Sequence, residues 1–110
     1  MRWLTQLDFE GLNYLISYPK GFSEDKKYPL VIFLHGAGER GTDIEHVNRW
    51  ALPRLITEGM KIPAIALCPQ CPQEYVWDNL VREIKGLTDM IAEKYKIKNN
   101  LKRVEIIKKV

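Results

Sequence analysis

The sequence predicts an α/β protein in which helices cover a mostly parallel sheet. From residue 28 onward, apolar runs of strand length alternate with segments of helical periodicity, in the order strand, helix, strand, helix, strand. This alternation is typical of parallel strands, because parallel neighbours need a connection that crosses one face of the sheet. A length of 110 residues with 45% hydrophobic residues allows one domain with a small core.

Two runs near the N-terminus, rich in aromatic and β-branched residues, predict an antiparallel hairpin. They cover residues 3–9 and 12–18 and are separated by a turn that contains Gly11. Residues 28–34 then form a continuous apolar run that ends before Gly36. An apolar run without alternation is typical of a strand that is covered on both faces, so we expect it at the centre of the sheet.

The segment after this strand predicts a helix and then a second buried strand. Thr42 and Glu45 have the spacing of a capping box, Pro53 suits a first helical turn, and Gly59 ends the helix. The apolar residues 63–67 have the length and composition of a strand.

A second helix is predicted from Asp78, which can cap it. Its apolar positions recur at spacings of four, three, four and four, and they are Leu80, Ile84, Leu87, Ile91 and Tyr95. Asn99 and Asn100 break the helix, and residues 103–107 predict the final strand.

Composition excludes several classes of partner. The net charge of +3 is modest, and the late lysines are interleaved with apolar residues, which indicates a solvated helix end and tail and no nucleic-acid partner. No apolar run approaches the ~20 residues of a membrane-spanning helix, and no cleavable leader is visible. We therefore expect a cytoplasmic protein without a membrane span.

The most informative motif is the glycine-rich loop after residues 28–34, which reads His35-Gly36-Ala37-Gly38-Glu39-Arg40-Gly41. Glycines permit a sharp turn and let backbone N–H groups approach a substrate closely. Loops of this composition after a strand also bind phosphate or form plain turns, so the loop alone is a weak indication of function.

The strand and its loop resemble the strand and oxyanion loop of α/β-hydrolases, in particular the carboxylesterase and phospholipase branch. A second segment, residues 67–72 followed by Trp77, is similar to the Ala-Pro-Gln-Cys-Pro…Trp signature of the same branch. The resemblance implies the N-terminal part of an α/β-hydrolase fold, with sheet order 1-2-4-3-5. Residues 1–110 would then be a single partial domain of that kind.

The resemblance also implies roles for the loop residues. The backbone N–H of Ala37 would point at the carbonyl oxygen of a scissile ester, as one of two oxyanion donors. Gly36 and Gly38 would let the loop bend, although an ordinary strand-end turn is the alternative. His35 would support the loop structurally, because the catalytic base of the family lies far toward the C-terminus.

Three further residues are candidate substrate contacts. Trp77 would wall the substrate cleft or simply pack against the core. Glu39 and Arg40 would contact substrate or form a loop-stabilising ion pair, which if exposed contributes under ~1 kcal/mol. His46 has no second histidine or cysteine at ligand spacing, so we expect it at the surface and expect neither a metal nor a cofactor.

Cys68 and Cys71 suggest a rival function, because C-x-x-C between a strand and a helix resembles a thioredoxin-type redox motif. Pro72 follows at once, and the predicted helix begins only near Asp78, so neither thiol gains the helix dipole. We expect both to be reduced, largely buried thiols.

The small number of serines limits the nucleophilic chemistry that this chain can perform. Ser17 and Ser23 are the only serines, and neither lies in a Gly-x-Ser-x-Gly nucleophile elbow. In the resembling esterases the last strand runs into that elbow, whereas here Lys108 stands where its first glycine belongs and Val110 where its serine belongs. The triad acid and base, which follow the nucleophile in this fold, are absent with it.

These observations predict an esterase-type serine hydrolase family member, the product of a truncated or frameshifted gene, that carries the oxyanion loop and is inactive alone. One alternative is a non-catalytic binding or assembly module on the same scaffold. A second polypeptide that carries the serine half would complete it, and the completed protein would act on a small ester. The other is the thiol redox protein. The strand at residues 103–107 would be an open edge, which predicts a homodimer or higher oligomer through that strand.

Overall fold

The computed structural model describes residues 3–9, 11–49, 51–95 and 104–108. Within these residues, five strands and two helices follow one another: β1 (Trp3–Phe9), β2 (Leu12–Ser17), β3 (Leu30–Leu34), α1 (Ala51–Thr57), β4 (Ile65–Pro69), α2 (Val81–Lys94) and β5 (Val104–Lys108). Three 3-10 turns lie between them, at Ala37–Glu39, Ile44–Arg49 and Trp77–Leu80. The predicted α/β class is thus confirmed.

The strands form one mixed sheet in the order β1-β2-β4-β3-β5. β1 and β2 pair antiparallel across the turn at Gly11, whose φ of 87° lies in the left-handed region that favours glycine. β2 is antiparallel to β4, whereas β3 is parallel to both β4 and β5. The carboxyl ends of the three parallel strands therefore meet at one edge of the sheet.

Alternating side chains of β2, β3 and β4 supply two separate cores, one on each face of the sheet. The larger core packs against α2, and it contains Leu12, Ile16, Leu30, Ile32, Leu34, Ile65, Leu67, Leu87 and Ile91. The smaller core packs against the 3-10 turn Ile44–Arg49, and it contains Leu15, Phe33, Ile44, Val47 and Cys68. Because successive side chains of a strand point to opposite faces, the two buried sets interleave along each strand.

The predicted apolar face of the second helix is present. Leu87 and Ile91 are fully buried, and Ile84 and Tyr95 pack against the same core. The predicted cap is wrong, because α2 begins only at Val81 and Asp78 lies within the preceding 3-10 turn. That turn is closed at its start by Asn79, whose Oδ1 accepts the backbone N–H of Val76 at 3.1 Å.

The first predicted helix is divided into a 3-10 turn and α1. The residue that caps this segment is Asp43, whose Oδ1 accepts the backbone N–H of Glu45 at 3.1 Å. The sequence analysis predicted Thr42 as the cap. Pro53 lies in the first turn of α1, where a missing N–H costs no helical hydrogen bond. Gly59 follows the helix with a φ of 114° and donates its N–H to Ile56, while Met60 donates to Leu55. This pair of bonds is a Schellman motif, which satisfies the last carbonyls of α1.

The strand boundaries differ by one or two residues from the sequence prediction. β4 covers Ile65–Pro69 where residues 63–67 were expected, because pairing with β2 continues through Cys68 and Pro69. β3 begins at Leu30 where residue 28 was expected. The predicted helix break at Asn99 and Asn100 lies outside the described residues.

Candidate functional site

The glycine-rich loop lies at the carboxyl edge of the parallel strands, beside the loop that follows β4. In α/β sheets this edge is where ligands bind, because the loops there converge while the strands themselves are covered by helices. Four residues in particular link the two loops by hydrogen bonds, and they are His35, Arg40, Gly41 and Gln70.

Residues Ala37–Glu39 form one 3-10 turn that is closed by its own glutamate. Glu39 is 8% exposed, and its Oε1 accepts the backbone N–H of Gly36 at 3.0 Å. The backbone N–H of Glu39 donates in turn to the carbonyl of Gly36. A carboxylate that reaches back in this way fixes the start of the turn, and hence the direction of the N–H groups that follow.

His35 is buried, and its hydrogen bonds determine its tautomer. Its Nε2 accepts the backbone N–H of Cys71 at 2.9 Å, so Nε2 carries no proton and the ring is neutral. Nδ1–H then donates to the carbonyl of Gly36. The His35 carbonyl accepts the indole N–H of Trp77 at 2.9 Å, and the two rings lie 5.0 Å apart. Both ring nitrogens are thus engaged inside the protein, in contacts that support the loop.

Gln70 holds the glycine-rich loop from the other side, a role that the sequence analysis missed. Its side chain is 1% exposed, and Nε2 donates to the carbonyls of Glu39 at 3.1 Å and of Asp43 at 2.7 Å. The Gln70 backbone N–H donates to the carbonyl of Asn13 in β2. The only sequence signal was its place within the second esterase-like segment.

Arg40, Gly41 and Trp77 complete the connection between the loops. Arg40 Nη1 donates to the carbonyl of Tyr75 at 2.9 Å, and the Gly41 N–H donates to the carbonyl of Cys71 at 3.0 Å. Gly41 has a φ of 134°, where a side chain would be strained. Trp77 is 9% exposed and belongs to the core beneath α2. Glu39 and Arg40 therefore lie within the glycine-rich loop, and Trp77 packs against its first residue, His35.

The first two residues of the 3-10 turn have backbone N–H groups without a partner inside the turn. Ala37 and Gly38 occupy positions at which the N–H groups of a helix have no partner within the helix. Gly38 is exposed, and a Cβ placed on it would meet no atom within 4 Å. The space over Gly38 is therefore open, which is what a backbone that faces a ligand requires.

Cys68 and Cys71 lie on opposite faces of the sheet. Cys68 belongs to the small core beside Phe33, whereas Cys71 belongs to the large core. Both are free thiols, and Cys71 Sγ donates to the carbonyl of Tyr75 at 3.2 Å. This placement disfavours the redox alternative, because the two sulfurs cannot bond to each other without rearrangement of the strand end.

Burial raises the pKa of Cys68, and burial also raises the pKa of Cys71 while the nearby Arg40 lowers it. The native state therefore holds both thiol protons more tightly than the unfolded chain, whose thiols titrate near ~8.5. This contribution to stability is complete below that pH and is lost as the pH rises toward the native pKa values. We expect the free energy of unfolding to fall above pH ~8.5 by about 1.4 kcal/mol per pH unit for the fully buried Cys68 thiol, and by less for Cys71, whose pKa Arg40 lowers.

Urea unfolding at a series of pH values between 7.5 and 10 tests this expectation. Cys68→Ala should remove one thiol's share of the slope. Cys71→Ala should remove less, because Arg40 offsets part of that shift. Since lysines and tyrosines titrate equally in all three proteins, a Cys68→Ala slope equal to that of the unmodified chain would contradict the assignment.

Both serines lie at the other edge of the sheet. Ser17 ends β2 opposite Ala66, near the start of β4. Ser23 accepts the Asp25 N–H in the polar connection and lies beside Tyr28, before β3 begins. β3 alone spans about 13 Å. Neither serine can therefore attack a carbonyl carbon whose oxygen lies at the Ala37 N–H.

The described residues contain neither a candidate metal site nor a candidate membrane-spanning helix. No group of histidine, cysteine, aspartate and glutamate side chains in this part of the chain could hold a metal ion. His46 is half-buried, with Nε2 3.6 Å from Asp43 Oδ2. Neither α1 nor α2 is long and apolar enough to cross a membrane.

Comparison with solved structures identifies esterases. The chain is 30% identical to a thermostable esterase, with a TM-score of 0.63 over 97% of this chain and 33% of that one. It matches a ferulic acid esterase at 18% identity and a TM-score of 0.65, over 97% of this chain and 49% of that one. A CE1 ferulic acid esterase from the anaerobic fungus Anaeromyces mucronatus matches at 21% identity and a TM-score of 0.58, over 97% and 48% of the two chains.

No family model and no curated protein sequence matches the chain. The chain spans between a third and a half of the length of the esterases named above. Its fold is accordingly that of esterase-type hydrolases.

Proposed function

We propose that this chain is the oxyanion-loop part of an α/β-hydrolase that cleaves carboxylic esters. The single observation that carries the proposal is the loop pair at the carboxyl edge of the parallel strands, where His35 and Gln70 fix the turn that contains Ala37 and Gly38. The strand order β1-β2-β4-β3-β5 and the esterase neighbours support the same assignment.

In this proposal the Ala37 N–H donates to the ester carbonyl oxygen as it becomes an oxyanion. A fixed donor of this kind contributes about 3–4 kcal/mol to the transition state, since it needs no reorganisation when the charge develops. Gly36 closes the turn through Glu39, and Gly38 leaves the approach open. In this proposal the second donor, the nucleophile, the acid and the base are supplied by another polypeptide segment, because neither serine of this chain can reach the Ala37 N–H.

Trp77, Glu39 and Arg40 form the surroundings of the substrate in this proposal. Each of them also makes a contact within the fold: Trp77 with the His35 carbonyl, Glu39 with the Gly36 N–H, and Arg40 with the Tyr75 carbonyl. These residues therefore act on a bound ester indirectly, by fixing the shape of the loop that binds it. Tyr75 and Val76 directly precede Trp77 in the chain, and their side chains are 45% and 51% exposed. In this proposal they add an apolar rim to the substrate site.

A chimera tests the proposal. In it, this chain replaces the matching third of the thermostable esterase, which keeps its own catalytic residues. We expect the chimera to hydrolyse p-nitrophenyl esters, and we expect Ala37→Pro to lower kcat by about 10²–10³-fold. Proline suits the first position of a helical turn, so this change removes the N–H with little strain.

Ala37→Ser is the matched control, because it alters the side chain and retains the N–H. Its kcat should remain within about twofold of that of the parent chimera, since the donor is intact. Circular dichroism establishes that each chimera is folded. A folded, active chimera in which Ala37→Pro and Ala37→Ser behave alike would show that this N–H is not an oxyanion donor.

We also infer that the 110-residue chain self-associates through β5. This strand lies at one edge of the sheet, with β3 as its partner in the described order. An edge strand presents unpaired N–H and C=O groups to other chains. Light scattering during size-exclusion chromatography should give a dimer or larger species at micromolar concentration. A monomer with a cooperative thermal transition would contradict the inference.

A further inference from the structure

A cleft of about 400 Å³ opens at the end of the sheet where β2 ends and β4 begins, opposite the end that carries the glycine-rich loop. One wall is formed by the residues that follow β2, with Tyr18 and Phe22 as its aromatic part. The other wall is formed by Ile56 and Met60, at the end of α1. The volume lies within the range of ligand sites, about 300–1,000 Å³, and most of the lining is apolar.

The aromatic wall is held rigid by its own contacts. The rings of Tyr18 and Phe22 lie 4.8 Å apart, and Phe22 stacks on Tyr28 at 5.3 Å. The hydroxyls of Tyr18 and Tyr95 are 2.8 Å apart, which ties the wall to α2. A preformed wall lowers the ordering cost of binding, because its side chains are already fixed.

The opposite wall is fixed by the end of α1. The Schellman bonds from Gly59 and Met60 satisfy the last carbonyls of the helix, so those carbonyls are not left to repel an anion. Met60 is 40% exposed and lies over the cleft, while Ile56 is buried at its base. A flexible thioether is a side chain that adapts readily to an apolar ligand.

Two lysines give the cleft its charge. Lys20 and Lys61 both line it and both are exposed. Neither forms an ion pair within the described residues, whereas Glu58, the nearest acidic residue in sequence to Lys61, is paired with Arg54 at 2.9 Å. An apolar cleft with two unpaired ammonium groups matches a ligand that has an apolar tail and a single anionic head.

We propose that this cleft binds a fatty carboxylate, with the alkyl tail between Phe22 and Met60 and the carboxylate beside Lys20 and Lys61. The cleft lies at the end of the sheet opposite the proposed oxyanion loop, and binding there requires no residue of that loop. The proposal is therefore independent of ester hydrolysis and stands or falls separately from it.

The experiment titrates the 110-residue chain with decanoate below the critical micelle concentration of decanoate and measures binding by isothermal titration calorimetry. Decanol carries the same tail without the charge and should bind about tenfold more weakly. Lys20→Gln combined with Lys61→Gln should weaken decanoate binding by about the same factor, because each exposed charge pair contributes up to about fivefold. Equal affinities for decanoate and decanol would overturn the proposal.

Matched variants separate the cleft from the rest of the surface. Met60→Glu places a carboxylate in the cleft and should abolish decanoate binding. Leu55→Glu places one on the same helix, at a residue that is 49% exposed and does not line the cleft, and should leave binding unchanged. Thermal melts establish that both variants are folded. Equal loss of decanoate binding in both variants would refute the assignment.

Discussion

The 110-residue chain is expected to hydrolyse p-nitrophenyl butyrate no faster than buffer does. Ser17 and Ser23 are its only serines, and both lie at the edge of the sheet opposite the glycine-rich loop. His35 is not available as a base, because its Nε2 accepts the Cys71 N–H and its Nδ1–H donates to Gly36. Loss of a complete catalytic triad costs about a millionfold in kcat, which places the expected rate below detection.

The measurement pairs two readouts, the release of p-nitrophenol and labelling by a fluorophosphonate probe. The thermostable esterase serves as the positive control for both. Turnover that persists through repurification, is blocked by the probe and is lost in Ser17→Ala or Ser23→Ala would show that one of these serines is a nucleophile. That result would require a different arrangement of the loop and the sheet.

The second large effect is expected from His35→Ala, which should destabilise the fold by about 3–5 kcal/mol. The substitution leaves the buried N–H of Cys71 without an acceptor, which costs about 1–3 kcal/mol, and it empties a buried ring-sized volume. A small domain has a total stability of about 5–15 kcal/mol, so much of that margin would be lost. Urea unfolding measures the change.

Two further substitutions make this result specific. His35→Gln places an amide oxygen near the position of Nε2 and should recover about 1–2 kcal/mol, because it restores the acceptor for Cys71. His46→Ala removes the chain's other histidine, which is half-buried and 3.6 Å from Asp43, and should cost under ~1 kcal/mol. Similar losses for His35→Ala and His46→Ala would mean that the buried hydrogen bonds of His35 do not hold the loop.

Local patterns predicted the elements because each depends on near neighbours in the chain. The apolar run at residues 28–34 contains β3, and the four-three-four-four spacing identified the buried face of α2. Caps and strand ends were less predictable, since several residues compete for them. Asp43 caps where Thr42 was expected, and β4 extends through Cys68 because β2 pairs with it there.

The sequence by itself determined the α/β class, the glycine-rich loop and the lack of a serine elbow, since these depend on the order and type of residues. Only the tertiary structure decided what holds that loop in place. The Gln70 amide and the Cys71 N–H reach it from the loop that follows β4, more than thirty residues along the chain, because β3 and β4 are parallel neighbours whose carboxyl ends lie side by side. Contacts across such a distance depend on strand pairing and burial, which no local pattern encodes.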